Sequence, residues 1–321
     1  MTIPTICVLG GSGFVGYHLA NHLTRAGYRV RIPTRRRERH REFLVMPTVD
    51  VINANIHDPA QLNQLVAECD AVINLTGILN ESKRGDFDNV HVKLVEKVIA
   101  ACRARGVKRL LHMSALNADA ARGTSRYLRT KGQGEDLVHA ATDLAVTSFR
   151  PSVIFGPGDS FFNRFARLLR ASPLVFPLAC AGARFAPVYV EDVAKVMIDA
   201  IRNPSAVGRR IELCGPQAYT LLQLVEYVNK TSGLNRTIVP LGDGASALLA
   251  RVMGVMPGKP LTTDNFLSTK TDSVCTSRTL ILGQPATAVE AVVPLYLGRR
   301  GQREHYDTHR GAARRDDGAT S

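Results

Sequence analysis

Short apolar runs alternate with amphipathic stretches through the first half of the chain. "TICVLG" (5–10), "YRVRIP" (28–33), "VDVINA" (49–54), "DAVINLTG" (70–77), "KRLLHMSA" (108–115) and "AVTSFRPSVIFG" (145–156) have the length and apolar, β-branched content of strands. Between them the period lengthens. Val15, Leu19 and Leu23 recur every four residues, and "PAQLNQLVAEC" and "VKLVEKVIAACRARG" keep a helical spacing. Helices between apolar strands predict β-α-β crossovers and a parallel sheet. The fourth and fifth strands are continuously apolar, as expected of strands buried on both faces. Gly27 and Gly106 stand where helices should stop, each shortly before a new strand.

The rhythm changes after residue 157. "FFNRFARLLRASP" reads as a helix, "PVYVEDVAKVMIDAIRNP" as a strand and then a helix, and "TLLQLVEYVNKTSG" as a further helix. The predicted organisation is a parallel-sheet domain over 1–157, to which 185–203 return, and a smaller mixed lobe over 158–298. Residues 299–321 are polar, basic and nearly free of aliphatics, and are expected to be a disordered tail. Within the second lobe "ASALLARVMGVMPGKP" (245–260) is apolar with two methionines. It reads as a core helix, or as a docking face for a membrane surface or partner.

"CVLGGSGFVGYHLA" gives this pattern its first chemistry. Gly10, Gly13 and Gly16 are spaced G-x-x-G-x-x-G between the first strand and the first helix. Glycines there permit a tight turn, close approach of a diphosphate and close packing of helix on sheet. The helix N-terminus adds free N–H groups and a favourable dipole. Gly10, Gly11, Ser12, Gly13, Phe14, Val15 and Gly16 are therefore the candidate diphosphate cradle, and the expected fold is a Rossmann-type doubly wound parallel sheet with a smaller mixed C-terminal lobe. The second strand ends in "TRRRER", with no acid before Glu38. A carboxylate in that place would bind a ribose 2′-hydroxyl; guanidinium forks suit a 2′-phosphate. Arg35 and Arg36 are the candidate contacts, and NADP(H) is expected over NAD(H). Asp58, after the third strand, can accept from an adenine amino group or cap the helix that begins at Pro59. Leu75, Thr76 and Gly77 close the fourth strand with small residues that let a cofactor pass close.

Tyr127 and Lys131 stand four residues apart, on one face if helical. A neighbouring ammonium is expected to lower the tyrosine pKa from about 10 towards the useful range. Gly132 and Gly134 follow; they either loosen this helix or admit close packing.

The order of glycine loop, basic second strand, "NLTG", Ser114 and "YLRTK" resembles that of the short-chain dehydrogenase/reductase superfamily in its extended or atypical branch. "RPSVIFGPGD" (150–159) is similar to the motif that in extended members touches the nicotinamide end, which implies cofactor contacts for Arg150, Pro151, Ser152 and Val153. "FAPVYVEDVA" (185–194) is similar to their entry into the substrate lobe. "HMSALNADA", "SRYLRTKGQGE", "PLACAGARFAPVYVEDVAK" and "TDSVC" resemble bacterial relatives of the short-chain-dehydrogenase-like accessory subunit of respiratory complex I. The resemblance covers about residues 5–298. It implies Tyr127 as proton donor, Lys131 as its partner and ribose ligand, and Ser114 as the group polarising a carbonyl. Tyr127 follows Ser114 by only 13 positions, and Leu116 occupies the place of the usual hydroxyl residue. Ser125 and Thr124 therefore stay open as alternatives, and Phe155 replaces a tyrosine common in the family.

Composition narrows the functions. The net charge is +13, but residues 25–41 hold eight arginines and one glutamate, so seven of those charges lie in one short segment. The run 35–41 contains no aromatic residue and the chain no tryptophan, a poor match to a nucleic-acid surface. The six cysteines are scattered and form no C-x-x-C pair; reduced thiols in a cytoplasmic protein are expected, and no metal site. No apolar run reaches the length of a membrane helix and no secretory signal opens the chain. Two functions fit. One is an NADP(H)-dependent oxidoreductase, or an enzyme of epimerase or dehydratase type, acting on a carbonyl, sugar-nucleotide or quinone-related small molecule. The other is an NADPH-holding scaffold or assembly factor linked to respiratory complex I or quinone metabolism, peripheral at the inner membrane.

Overall fold

The computed structural model describes residues 3–254, 261–276, 280–281 and 284–298. The tail 299–321 and the 255–260 part of the apolar segment lie outside the described residues.

The first half runs β1 (Thr5–Leu9), α1 (Phe14–Arg25), β2 (Arg29–Thr34), β3 (Val49–Asn53), α2 (Pro59–Val66) and β4 (Ala71–Asn74). A short turn α3 (Asp86–Asp88), a π-helical turn (Asn89–Lys93) and α4 (Leu94–Ala104) then follow without a break. After them come β5 (Arg109–Met113), α5 (Arg126–Ala140) and β6 (Ala145–Pro151). The second half adds β7 (Ile154–Phe155), α6 (Phe162–Ala171), β8 (Val175–Leu178), β9 (Arg184–Phe185), β10 (Val188–Tyr189) and α7 (Val190–Arg202). It continues through β11 (Arg210–Leu213), β12 (Tyr219–Thr220), α8 (Leu221–Thr231), β13 (Thr237–Pro240), α9 (Asp243–Gly254), α10 (Thr263–Ser268) and α11 (Val289–Leu297).

Seven strands form one parallel sheet in the order β11-β6-β5-β4-β1-β2-β3. The chain starts at β1 and winds outward in both directions. The crevice where the order reverses, at the carboxyl ends of β1 and β4, is where ligands bind in such sheets. Alternation along β1 sorts its side chains to two cores. Ile6 and Val8 join Leu19 and Leu23 of α1 and Val193 and Met197 of α7. Cys7 and Leu9 join Leu62 of α2 and Val98 and Cys102 of α4. α1 and α7 are further tied through Glu191, whose two oxygens meet His18 Nδ1 (2.5 Å) and His22 Nε2.

A third core, with Phe155, Phe162, Leu169, Leu224, Val228 and Val293, fills the smaller lobe. α9 packs beside α10, burying Ser246 and Ala250 and exposing Leu248 and Val252.

Two expectations need correction. The sequence pattern returned only 185–203 to the first lobe, whereas β11 also joins the large sheet, pairing Arg210–Leu213 with Ser148–Pro151. Its four residues, Arg-Ile-Glu-Leu, alternate polar and apolar as a strand does, but the run is too short to stand out. The cysteines are not all reduced: Cys214, just past β11, is bonded to Cys275, 61 residues later. Spacing alone hides a pairing made by the return of β11 to the sheet. Cys7, Cys69 and Cys102 are free and buried, and Cys180 is free and half-buried.

Candidate functional site

The glycine loop lies at the reversal point. Gly10 has φ +76°, and a β-carbon there would stand 3.1 Å from Leu75 C and Thr76 N. The loop thus lies directly against the end of β4. A β-carbon on Gly16 would stand 2.3 Å from Gly11 O, so helix and turn touch only because both lack side chains. Gly13 caps α1 with no side-chain hydrogen bond of its own, and leads into the first-turn residues Phe14 and Val15. Ser12 is half-buried and Gly13 exposed, so the turn reaches the surface at the N-terminus of α1, a place that suits a diphosphate.

Around this loop the expected contacts take different places. Arg35 and Arg36 are exposed at the end of β2, and neither pairs with a carboxylate among the described residues. Asp58 is the N-cap of α2, accepting from Ala60 N (2.9 Å) and Gln61 Nε2 (2.8 Å), which is the capping role of the two foreseen. After β4, Asn74 Oδ1 accepts from Thr76 N and Oγ1 and so shapes the Leu75–Thr76–Gly77 turn.

At the other end of the crevice α5 delivers Tyr127 and Lys131. The helix is continuous through Gly132 and Gly134. A β-carbon on Gly132 would stand 2.4 Å from Ala120 N, and one on Gly134 2.1 Å from His91 O, so the glycines serve close packing. Ser125 is the buried N-cap, accepting from Leu128 N (3.1 Å) and Ser268 Oγ (2.8 Å). Thr124 is exposed. These two alternatives to Ser114 are therefore occupied or turned to solvent. Ser114, by contrast, is buried and its Oγ has no hydrogen-bond partner. A buried hydroxyl without a partner costs on the order of 1–3 kcal/mol, which a bound carbonyl or amide would relieve.

Lys131 is 4% exposed and its Nζ donates to Met113 O (2.5 Å) at the end of β5. A β-carbon on Gly77 would stand 3.6 Å from Nζ and 3.8 Å from His91 Nε2, so the fourth strand end overlies the ammonium. Burial lowers Lys131 to about 8, against the pull of Glu135. The carbonyl takes one of three N–H donors; the others suit ribose hydroxyls. The glycine cradle, the unpartnered Ser114 and this lysine fit a dinucleotide lying across the crevice.

Two expectations fail here. Tyr127 is not acidified by Lys131: burial, and then the Asp264 carboxylate, push its phenol up to about 12. Arg150 does not face an open crevice. Its guanidinium grips the fully buried carboxylate of Glu135 through Nε (2.9 Å to each oxygen) and Nη2 (2.7 Å), clamping β6 to α5. Pro151 ends β6, Ser152 Oγ donates to Ser273 O (2.7 Å), and the Val153 carbonyl accepts from Val188 N (2.9 Å).

A profile of the NAD dependent epimerase/dehydratase family matches residues 6–214, from β1 through the last strand of the sheet. The chain belongs to that family. It is 33% identical over 264 residues to the mitochondrial NADH dehydrogenase (ubiquinone) 1 alpha subcomplex subunit 9 of Mus musculus, covering 80% of this chain and 68% of that one. It is 30% identical to a ceramide reductase of Caulobacter vibrioides over 74% of each chain. In fold it matches an NADPH-dependent quinone oxidoreductase from Escherichia coli, complexed with NADPH, with a TM-score of 0.72 over 91% of this chain and 99% of that one at 21% identity. No helix among the described residues is long and apolar enough to cross a membrane.

Within this epimerase/dehydratase-family crevice, three residues had no sequence signal. His91, from the π-helical turn, accepts Ile78 N at Nε2 (3.1 Å), and its Nδ1 meets Thr130 Oγ1 (2.9 Å). Its ring stacks on Phe87 and meets Tyr127 edge-on. Burial, with Lys131, holds it down to about 3, so it stays neutral. His112, on β5, is buried with Nε2 unpartnered, and burial keeps it neutral too. Asp264 of α10 accepts from Arg126 N (2.8 Å) and Tyr127 N (3.1 Å), capping α5 from 137 residues away.

Proposed function

We propose that this chain is an NADP(H)-binding oxidoreductase that reduces a carbonyl or quinone-related substrate. The observation that carries the proposal is the pairing of Lys131 with Ser114 at the end of β5: a buried ammonium bonded to a backbone carbonyl, beside a buried hydroxyl with nothing to bind. The bound nicotinamide cofactor supplies hydride; the protein supplies position and protons. Arg35 and Arg36 receive the 2′-phosphate, the Gly10–Gly16 turn the diphosphate, and Lys131 the nicotinamide ribose. Ser114 donates to the substrate oxygen. Tyr127 gives that oxygen a proton. With its phenol near 12 it is protonated throughout the neutral range, so the proton is in place for the reducing direction, but it is given up less readily than by a free tyrosine.

A second reading has its own support. The same raised phenol and the similarity to the complex I subunit favour a protein that holds NADPH without turnover, at a respiratory complex at the inner-membrane periphery. NADPH and NADH titrations, followed by NADPH oxidation with ubiquinone analogues and long-chain ketones, separate the two. Oxidation lost in Tyr127→Phe, with NADPH affinity kept, supports the enzyme. Tight NADPH binding with no oxidation, unchanged in Tyr127→Phe, supports the scaffold. Equal affinity for NADH removes the arginine assignment.

A further inference from the structure

The segment 262–276 crosses the substrate end of the sheet and is held there by residues remote in sequence. Its first part lies on α5, through Asp264 at the Arg126 and Tyr127 N–H groups and Ser268 Oγ at Ser125 Oγ (2.8 Å). Its second part lies on strand ends. Asn117 Nδ2 donates to Asp272 O (2.8 Å), and Ser152 Oγ (2.7 Å) and Ala186 N (3.0 Å) both donate to Ser273 O. Its last part is held to β11 by the covalent bond of Cys275 to Cys214 and by Glu212, whose Oε2 accepts from Thr276 N (3.1 Å) and Oγ1 (3.2 Å).

The placement of that cystine is informative. Cys7, Cys69 and Cys102, buried in the sheet's core, stay free; the bond falls on the strap that walls the crevice. Cys214 is 3% exposed, whereas Cys275 is half-buried, so an incoming thiolate reaches Cys275 first.

We propose that Cys214–Cys275 is a thiol–disulfide exchange site, taken by a dithiol reductant, and that it sets how firmly 262–276 closes the crevice. One thiolate of the reductant attacks Cys275 Sγ, forming a mixed disulfide and releasing Cys214 as a thiolate that takes a proton. The second thiolate attacks its own sulfur in the mixed disulfide and releases Cys275, which is protonated in turn. Two electrons and two protons pass to the protein, and the reductant leaves as its cyclic disulfide. The strap then keeps its hydrogen bonds to Asn117, Ser152 and Ala186 and those of Thr276 to Glu212 of β11, but loses its covalent tie to that strand. This inference stands apart from the cofactor reading.

The test uses the full chain equilibrated with reduced or oxidised dithiothreitol, alkylated under native conditions and cut briefly with trypsin. The expected result is that Cys214 and Cys275 pass together between cystine and alkylated thiols, and that cleavage after the exposed Lys270 quickens on the order of tenfold in the reduced form. Cys275→Ser should cleave at the fast rate in both buffers; should that variant not fold, the two states of the unaltered chain carry the test. Free thiols at both positions in oxidised dithiothreitol, or equal cleavage of the two states, would overturn the proposal. NADPH titrations in both buffers run alongside: no binding in either defeats the cofactor reading and leaves the thiol result intact.

Discussion

The two ends of the crevice are built on different principles. At the diphosphate end, contacts are made by bare backbone: Gly11 against Gly16, and Gly10 against Leu75 and Thr76. At the substrate end each contact needs a side chain: Asp264 on Tyr127, Ser152 on Ser273, Glu135 on Arg150. The first end leaves little room for change because any added atom collides with main chain. The second is a mesh in which each side chain depends on a partner from another element, so its geometry is adjustable and open to regulation.

Deleting a partner at the substrate end should have the largest effect. Glu135→Ala leaves Arg150 half-buried without its carboxylate, and should cost about 3–5 kcal/mol in urea unfolding; a loss under 1 kcal/mol would mean the mesh is not what holds α5. Next, Arg35→Ala with Arg36→Ala should weaken NADPH binding about a hundredfold and leave NADH unchanged, measured by calorimetry. A similar loss for both cofactors would place these arginines in folding rather than recognition.

A pH series sharpens the contrast further. Lys131 titrates at about 8 when folded, against an ordinary 10.5. Between those values the unfolded chain holds more protons, so raising the pH through that window adds stability to the unliganded protein, and stability is lost as pH falls through 8. The ammonium proposed to bind ribose disappears over the same window. Stability should therefore rise while NADPH affinity falls, about tenfold from pH 8 to 9.5, and Lys131→Met should flatten both curves. The smallest effect is expected for Ser125→Ala, about 1 kcal/mol by thermal melt for a lost N-cap, with NADPH affinity unaltered.

The difference between the ends also explains what was legible in the chain. The six predicted strands and the glycine turn were visible because each is specified by neighbours: an apolar run in β1, four-residue spacing in α1, glycines at fixed offsets. Asp58 was legible only as one of two roles, since a capping aspartate before proline and an adenine ligand leave the same residue in the same place. Tyr127 and Lys131 were found as a pair. Their electrostatics were not, because burial and Asp264, 137 positions away, outweigh the expected ammonium. His91 was hidden because a π-helical turn breaks the helical period where it matters. Arg150 matched a motif, but its partner Glu135 sits on another element, and only the packed structure decides between carboxylate and cofactor. The Cys214–Cys275 bond required knowing that β11 returns to the sheet.

That return makes the molecule indivisible. A fragment ending at residue 157 would keep the glycine turn, the arginines, Tyr127 and Lys131, yet would leave β6 as a bare edge where β11 belongs and strip α7 from the face of the sheet beneath α1. An uncovered edge invites pairing with other chains. The nucleotide half is thus no portable module for fusion or transplantation. Whatever lineage reshaped the second lobe had to do so with the last strand of the first already threaded through it.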